Sequence, residues 1–266
     1  MLFKIYTRNE LRNMSTWSWG LLFMLFWLFM GAYVFESGPV AAGQSLYIVA
    51  SFFSLFGLVS YSSIAISFAQ VTMYSSQALP YAFRYTRLTP GRYILDFIAS
   101  FLVMSVIFSS LLLAFSYVIF SLRFGTSVPP ADPLLTILIS ALAGVFLASM
   151  DQVLVIFTIN HLGLKSMAFV SFIPLLLTYA LGFPFLFVSI PQFINYISPF
   201  NGFIALLYSS YSGAAAHSTL SNVASPVINE YLSATSVIAW VIVLTTLSAL
   251  MVRNIRPRNL EEQRQI

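Results

Sequence analysis

The sequence predicts an all-α polytopic membrane protein, and three observations carry that prediction. The composition is 59% hydrophobic and only 8% charged, whereas a soluble domain has roughly a quarter of its residues charged. The apolar residues fall into six long stretches. Basic residues collect in alternate connections between those stretches. A water-soluble fold of 266 residues has too little interior to hide so much apolar surface. Backbone groups in hydrocarbon must satisfy one another, which leaves helices or closed barrels. Barrel strands alternate apolar and polar over about ten residues; these stretches are solidly apolar over about twenty, so helices are predicted.

The predicted spans are Trp17–Phe35, Leu46–Val71, Ile94–Phe120, Leu134–Ile159, Met167–Ile190 and Tyr231–Val252. At about 1.5 Å per residue the shortest reaches roughly 28 Å, close to a hydrocarbon core of about 30 Å. With the chain threaded through these spans, Lys4, Arg8, Arg12, Arg84, Arg87, Arg92, Lys165, Arg253, Arg256, Arg258 and Arg264 share one side. Only Arg123 falls opposite, beside Glu36, Asp132 and Glu230. Lys and Arg are retained on the cytoplasmic face during insertion, so both termini are expected in the cytoplasm of a plasma-membrane protein.

The first element, residues 1–16, carries Lys4, Arg8 and Arg12 at i, i+4 and i+8, a basic stripe on one helical face. Leu2, Phe3, Tyr6 and Met14 take the other face, diluted by Glu10 and Asn13. This pattern suits an interfacial helix lying along the inner leaflet, with Trp17 and Trp19 at the water–lipid boundary. The following apolar run exceeds a typical 7–15-residue signal core, so an uncleaved membrane helix is expected.

Span two carries Ser60, Ser63, Ser67, Gln70 and Tyr74 at i+3/i+4 spacing, one polar stripe. It suits either close packing through small side chains or the lining of a path. Residues 72–93 form the longest inner connection. Arg84 and Arg87 stand three apart there, Thr89-Pro90-Gly91 interrupts the helix, and Arg92 and Asp96 stand at i, i+4 as span three begins. Span four holds Ser140, Gly144 and Ala148, a small-residue face, and Asp151, the single charge well inside a span. An ionised aspartate at a helix centre costs about 2.5–3.5 kcal/mol, so it must face protein or water. Both an ion or proton relay and a structural anchor paired with a helix-end base such as Lys165 or with a neighbouring polar group remain open for it. Pro174 and Pro184 predict kinks in span five. Segment 191–230 is outside yet apolar at Phe203–Tyr208, which fits short helices dipping into the membrane. The whole chain reads as one transmembrane domain.

Several chemistries are excluded by what the sequence lacks. There is no Gly-rich phosphate loop, paired-histidine zinc helix or nucleophile elbow. With no cysteine there is no thiol chemistry. His161 and His217 fall on opposite sides, so they cannot share a metal. The net charge of +4 is spread over several connections with no dense basic run, which argues against nucleic acid as a partner.

Two stretches bring a family into view. Arg87-Leu-Thr-Pro-Gly-Arg-Tyr-Ile-Leu95 resembles the segment leading into span three of ABC-2-type transporter permeases. Ile197-Ser-Pro-Phe-Asn-Gly202 is similar to the Ser/Asn-Pro turn these permeases carry after span five. Six spans, an N-terminal amphipathic helix and membrane-dipping helices before span six extend the likeness over the whole chain. Where the family often has Glu with Gly-Thr, this chain has Gln77 and Ala78.

The resemblance implies a permease subunit that is not itself an enzyme and carries no cofactor. It would pair with a second permease subunit, identical or related, while separate cytosolic subunits bind ATP and Mg. Coupling to those subunits would run through Gln77, Tyr81, Arg84, Arg87, Pro90 and Arg92, and less strongly through His161 and Lys165. The path would lie between the two membrane subunits near spans two and five, making Ser60, Ser63, Ser67, Gln70 and Tyr74 its lining. Export of an amphipathic or hydrophobic substrate is the implied task. The rival readings are an ion-coupled secondary transporter using Asp151 and a non-transporting membrane scaffold.

Overall fold

Helix-starting and helix-stopping residues divide the chain into eleven helices among the residues that the computed structural model describes: 2–36, 38, 40, 43–162, 167–188, 190–219 and 225–255. They are α1 (Leu2–Arg12), α2 (Met14–Phe35), α3 (Ser45–Ser75), α4 (Leu79–Tyr85), α5 (Pro90–Phe124) and α6 (Pro133–Leu162). After these come α7 (Met167–Ser171), α8 (Ile173–Phe187), α9 (Gln192–Ile197), α10 (Pro199–Ser212) and α11 (Glu230–Val252). No strand forms among the described residues; a single bridge pairs His217 with Val227. The protein is all-α. Five helices (α2, α3, α5, α6 and α11) are long and apolar enough to cross a membrane.

The starts follow one chemistry. Free N–H groups in a helix's first turn need an acceptor, and a short polar side chain just before the helix supplies it. Thr89 accepts from Arg92 N ahead of α5, Asp132 from Leu135 N ahead of α6, and Ser198 from Asn201 N ahead of α10. A proline follows each of these caps, where its missing N–H costs nothing. Thr89-Pro90-Gly91 therefore begins a helix as well as ending the preceding segment. α10 stops at Gly213, whose φ of +71° is the left-handed conformation a helix end favours.

Helix α3 is the axis of the bundle. In its most apolar window 94% of residues are buried, against 22% for the peripheral α11. Around α3 pack α2, α5, α6, α8 and α10. Gly144, on the small-residue face of α6, meets α5 closely: a Cβ placed on it would overlap Ser105 and press on Phe101. At Gly144 the small residue serves close contact, as its place on that face predicts.

The fifth predicted span is where the structure departs from the reading of one continuous helix. α7 ends at Ser171 and α8 restarts at Ile173, with Pro174 in its first turn. Proline lacks the N–H needed to carry the ladder across, so the predicted kink at Pro174 is a break. Pro184 sits inside α8 without ending it. Segment 191–230 holds α9 and α10. α10 is deeply buried against α3, α6, α8 and α11, which explains the apolar run Phe203–Tyr208.

The bundle has a basic end. α1 lies across the start of α5, where Ser100 Oγ donates to Phe3 O at 3.1 Å and the Tyr6 ring meets Tyr93 and Phe97 edge-on at 6.3 Å. Lys4, Arg8 and Arg12 point outward from α1. Arg84, Arg87, Arg92 and Arg253 share that end. Arg123 lies at the other, with its guanidinium on the carbonyls of Ala32 and Glu36. Lys165, Arg256, Arg258 and Arg264 fall outside the described residues.

Candidate functional sites at the basic end

Two cavities open at this end, and each gathers residues that the sequence singles out. The first, about 730 Å³, lies between α4, the end of α6 and the end of α11. Tyr81 and Arg84 form one wall, Asn160 and His161 a second, Arg253 and Asn254 a third. α4 is a seven-residue helix of about two turns, held at its base by buried Leu79, while Tyr81, Arg84 and Tyr85 face outward. Arg87 and Arg92 continue this exposed edge into α5, with Pro90 half-buried between them. Asn160 Nδ2 donates to Asn254 O at 3.3 Å, tying α6 to α11 across the floor. His161 stacks on Phe157 at 4.8 Å.

The structure thus joins both predicted coupling segments, about 80 residues apart in sequence, in one cleft. Tyr81, Arg84 and His161 line it. Gln77 is half-buried at the turn between α3 and α4, and Arg87, Pro90 and Arg92 lie beyond the cleft's lining. Lys165 lies outside the described residues. The segment that stands free is shorter than 72–93, because Thr72, Met73 and Tyr93 are buried. Arg253 joins the cleft unforeseen; the signal was its place just past span six, facing the same water as Arg84.

The second cavity, about 490 Å³, runs between α2, α3 and α8. One wall is polar, made by Thr16, Ser63, Ser67 and Gln70; the other is aromatic, made by Trp19, Phe23, Phe172 and Tyr179. The predicted stripe on span two divides here. Ser63, Ser67 and Gln70 line this groove. Ser60 does not: its hydroxyl donates to the Gly20 carbonyl and so ties α3 to α2. Tyr74 is exposed past the groove's end. Packing and lining thus occupy different parts of the same stripe.

Behind the polar wall sits Glu10, 2% exposed. Its Oε2 accepts from Thr16 Oγ1 and from Ser67 Oγ, both at 2.8 Å, and Asn13 Nδ2 donates to Ser67 Oγ at 2.8 Å. Burial pushes the Glu10 carboxyl above its ordinary range, and the hydroxyl bonds only partly oppose this. From its spacing alone Glu10 is a dilution of an apolar face. In the structure Tyr6 and Glu10 are the two buried residues of α1, so that face packs on protein and Glu10 is its polar anchor. The available signal was the Tyr6–Glu10–Asn13 spacing opposite the basic stripe.

Asp151 is also completely buried, and neither of its oxygens has a hydrogen-bond partner among the described residues. Its neighbour Gln152 donates to Thr72 Oγ1 at 2.6 Å, and Thr72 lies 3.3 Å from the Tyr93 hydroxyl, which links α6, α3 and α5. Lys165, the expected partner of Asp151, lies outside the described residues. Among the described residues no three His, Cys, Asp or Glu gather as a metal would require. His161 lies at the basic end, whereas His217 pairs with the Ser225 carbonyl beyond α10.

No protein-family model matches this chain, and no curated protein matches it. The architecture defines it as an all-α protein whose apolar helices fit a transmembrane protein, with two cavities at one charged end.

Proposed function

We propose that this chain is the membrane subunit of an ATP-driven exporter of the ABC-2 type. In this reading α7 and α8 together make the fifth of six spans, α9 and α10 dip in from outside, and the basic end faces the cytoplasm of a plasma membrane. Two such subunits, identical or related, enclose the path, and ATP with Mg is bound by separate cytosolic subunits docked beneath.

The observation that carries this reading is the α4 knob and its cleft. A short helix, exposing Tyr81, Arg84 and Tyr85, stands between two long apolar helices and borders a concave surface shared with His161 and Arg253. That shape suits a motor that pushes on the membrane subunit, because force applied to α4 passes directly into α3 and α5. The hydroxyl-lined groove on α3 fits the place the resemblance gives to substrate.

Replacing Arg84 and Arg87 together with Ala tests it. Arginines at the centre of an interface are worth about 1–2 kcal/mol each, so recovery of the ATP-binding subunit in co-purification falls about ten-fold or more. Unchanged recovery removes the knob from the account. A second reading, an ion-coupled carrier, rests on Asp151 and its two unpartnered oxygens. It requires Asp151 for transport, whereas the exporter reading does not.

A further inference from the structure

We propose that the groove between α2, α3 and α8 binds an amphipathic organic cation, which Glu10 attracts and the Trp19, Phe23 and Tyr179 rings hold. This deepens the transport reading, which gives the same groove to substrate, while its test concerns binding to this chain alone and so fails or succeeds separately from that reading.

The groove is two-sided. Its aromatic wall offers flat apolar faces that a hydrocarbon or ring system can cover, and ring faces also attract cations directly. Its polar wall consists of hydroxyls and one amide, none of which carries charge. Thr16 and Ser67 on that wall each hold the same carboxylate oxygen of Glu10 at 2.8 Å, so the Glu10 carboxylate lies one hydroxyl behind the open space.

What compensates Glu10 is unusual. Its partners are neutral donors from Thr16, Ser67 and Asn13, and no Lys or Arg assists among the described residues. Lys4, Arg8 and Arg12 all leave α1 on its outer face. A carboxylate withdrawn from water without a cation is a costly arrangement, and a cation placed in the adjacent groove relieves it. An anion placed there would be repelled by the same charge. The volume of about 490 Å³ admits a drug-sized body. The chemistry therefore selects sign as well as shape: positive charge toward α3, apolar body toward α8.

Dissolved amphipathic cations and the amine headgroup of phosphatidylethanolamine share this chemistry, and one experiment separates them. The full chain in phosphatidylcholine nanodiscs is titrated with radiolabelled tetraphenylphosphonium and with tetraphenylborate, its counterpart of like shape and opposite charge, with empty discs subtracted. Saturable binding of the phosphonium alone is expected. Glu10→Gln weakens it about ten-fold, the effect of one nearby charge at intermediate dielectric, and Gln70→Lys, at an exposed wall position, abolishes it. Adding phosphatidylethanolamine to the discs displaces the probe if the resident cation is a lipid amine and leaves its affinity unchanged if it is a dissolved solute. Equal affinity for both ions overturns the proposal, as does wild-type affinity in both variants. Where Glu10→Gln does not yield folded protein, Gln70→Lys decides alone.

Discussion

Glu10 and Asp151 are both buried acids of a largely uncharged bundle, yet they are housed in opposite ways. Glu10 is solvated by hydroxyls brought from α2 and α3, and it borders open space. Asp151 lies on the helix whose Gly144 meets α5 closely, and neither of its oxygens has a hydrogen-bond partner among the described residues. A buried carboxylate with a tailored shell beside a cavity is a built element whose loss is felt by its neighbours. A buried carboxylate with no shell contributes little to holding the helices, because nothing depends on its oxygens. Burial alone therefore does not mark a working acid; the company it keeps does.

The largest expected effect falls on the shell. Ser67→Ala removes the hydroxyl that binds Glu10, Asn13 and Thr16 at once, and stranding buried partners costs about 1–3 kcal/mol. A melting temperature several degrees below wild type in detergent is the expected readout; an unchanged one breaks the contrast. Asp151→Asn should act in the other direction or not at all. Its melting temperature is expected to equal or exceed that of the wild type, with full transport beside an energised partner. Loss of transport with stability intact would move Asp151 into the mechanism and favour the ion-coupled reading.

The smallest effect is a pH slope. The Glu10 carboxyl is raised in the folded protein above its ordinary value of 4.5. Such a group binds its proton more tightly when folded, so its contribution is fully present below about 4.5 and is lost as pH rises through the raised value. The wild-type melting temperature thus falls over that window, and Glu10→Gln flattens the fall. An identical slope in the variant assigns the titration elsewhere.

Much of the architecture was legible in residues alone. Five of the six predicted spans are long apolar helices, and the small face at Ser140, Gly144 and Ala148 packs as its spacing implies, because helical periodicity reports which face meets protein. The break at Phe172 was half visible: Pro174 predicts a disturbance, but whether a helix bends or parts depends on what packs around it. The Tyr6–Glu10–Asn13 spacing shows the face Glu10 lies on but not what it binds, since its two hydroxyl partners come from other helices, Ser67 more than fifty residues away. The stripe on α3 was legible as one line. Its division into a packing half at Ser60 and a lining half at Ser63–Gln70 required the position of α2. The Thr89-Pro90 and Ser198-Pro199 pairs that suggest a family are also ordinary helix starts, and the structure gives them that physical role.

The orientation of the basic end is the premise on which the exporter reading stands, and its measurement is direct because the chain has no native cysteine. Arg84→Cys and His217→Cys, each the only thiol in the protein, are exposed to a membrane-impermeant maleimide in intact cells. Labelling at position 217 from outside, with position 84 labelled only after permeabilisation, is the predicted result. Labelling of position 84 in intact cells would turn the bundle over and contradict the account.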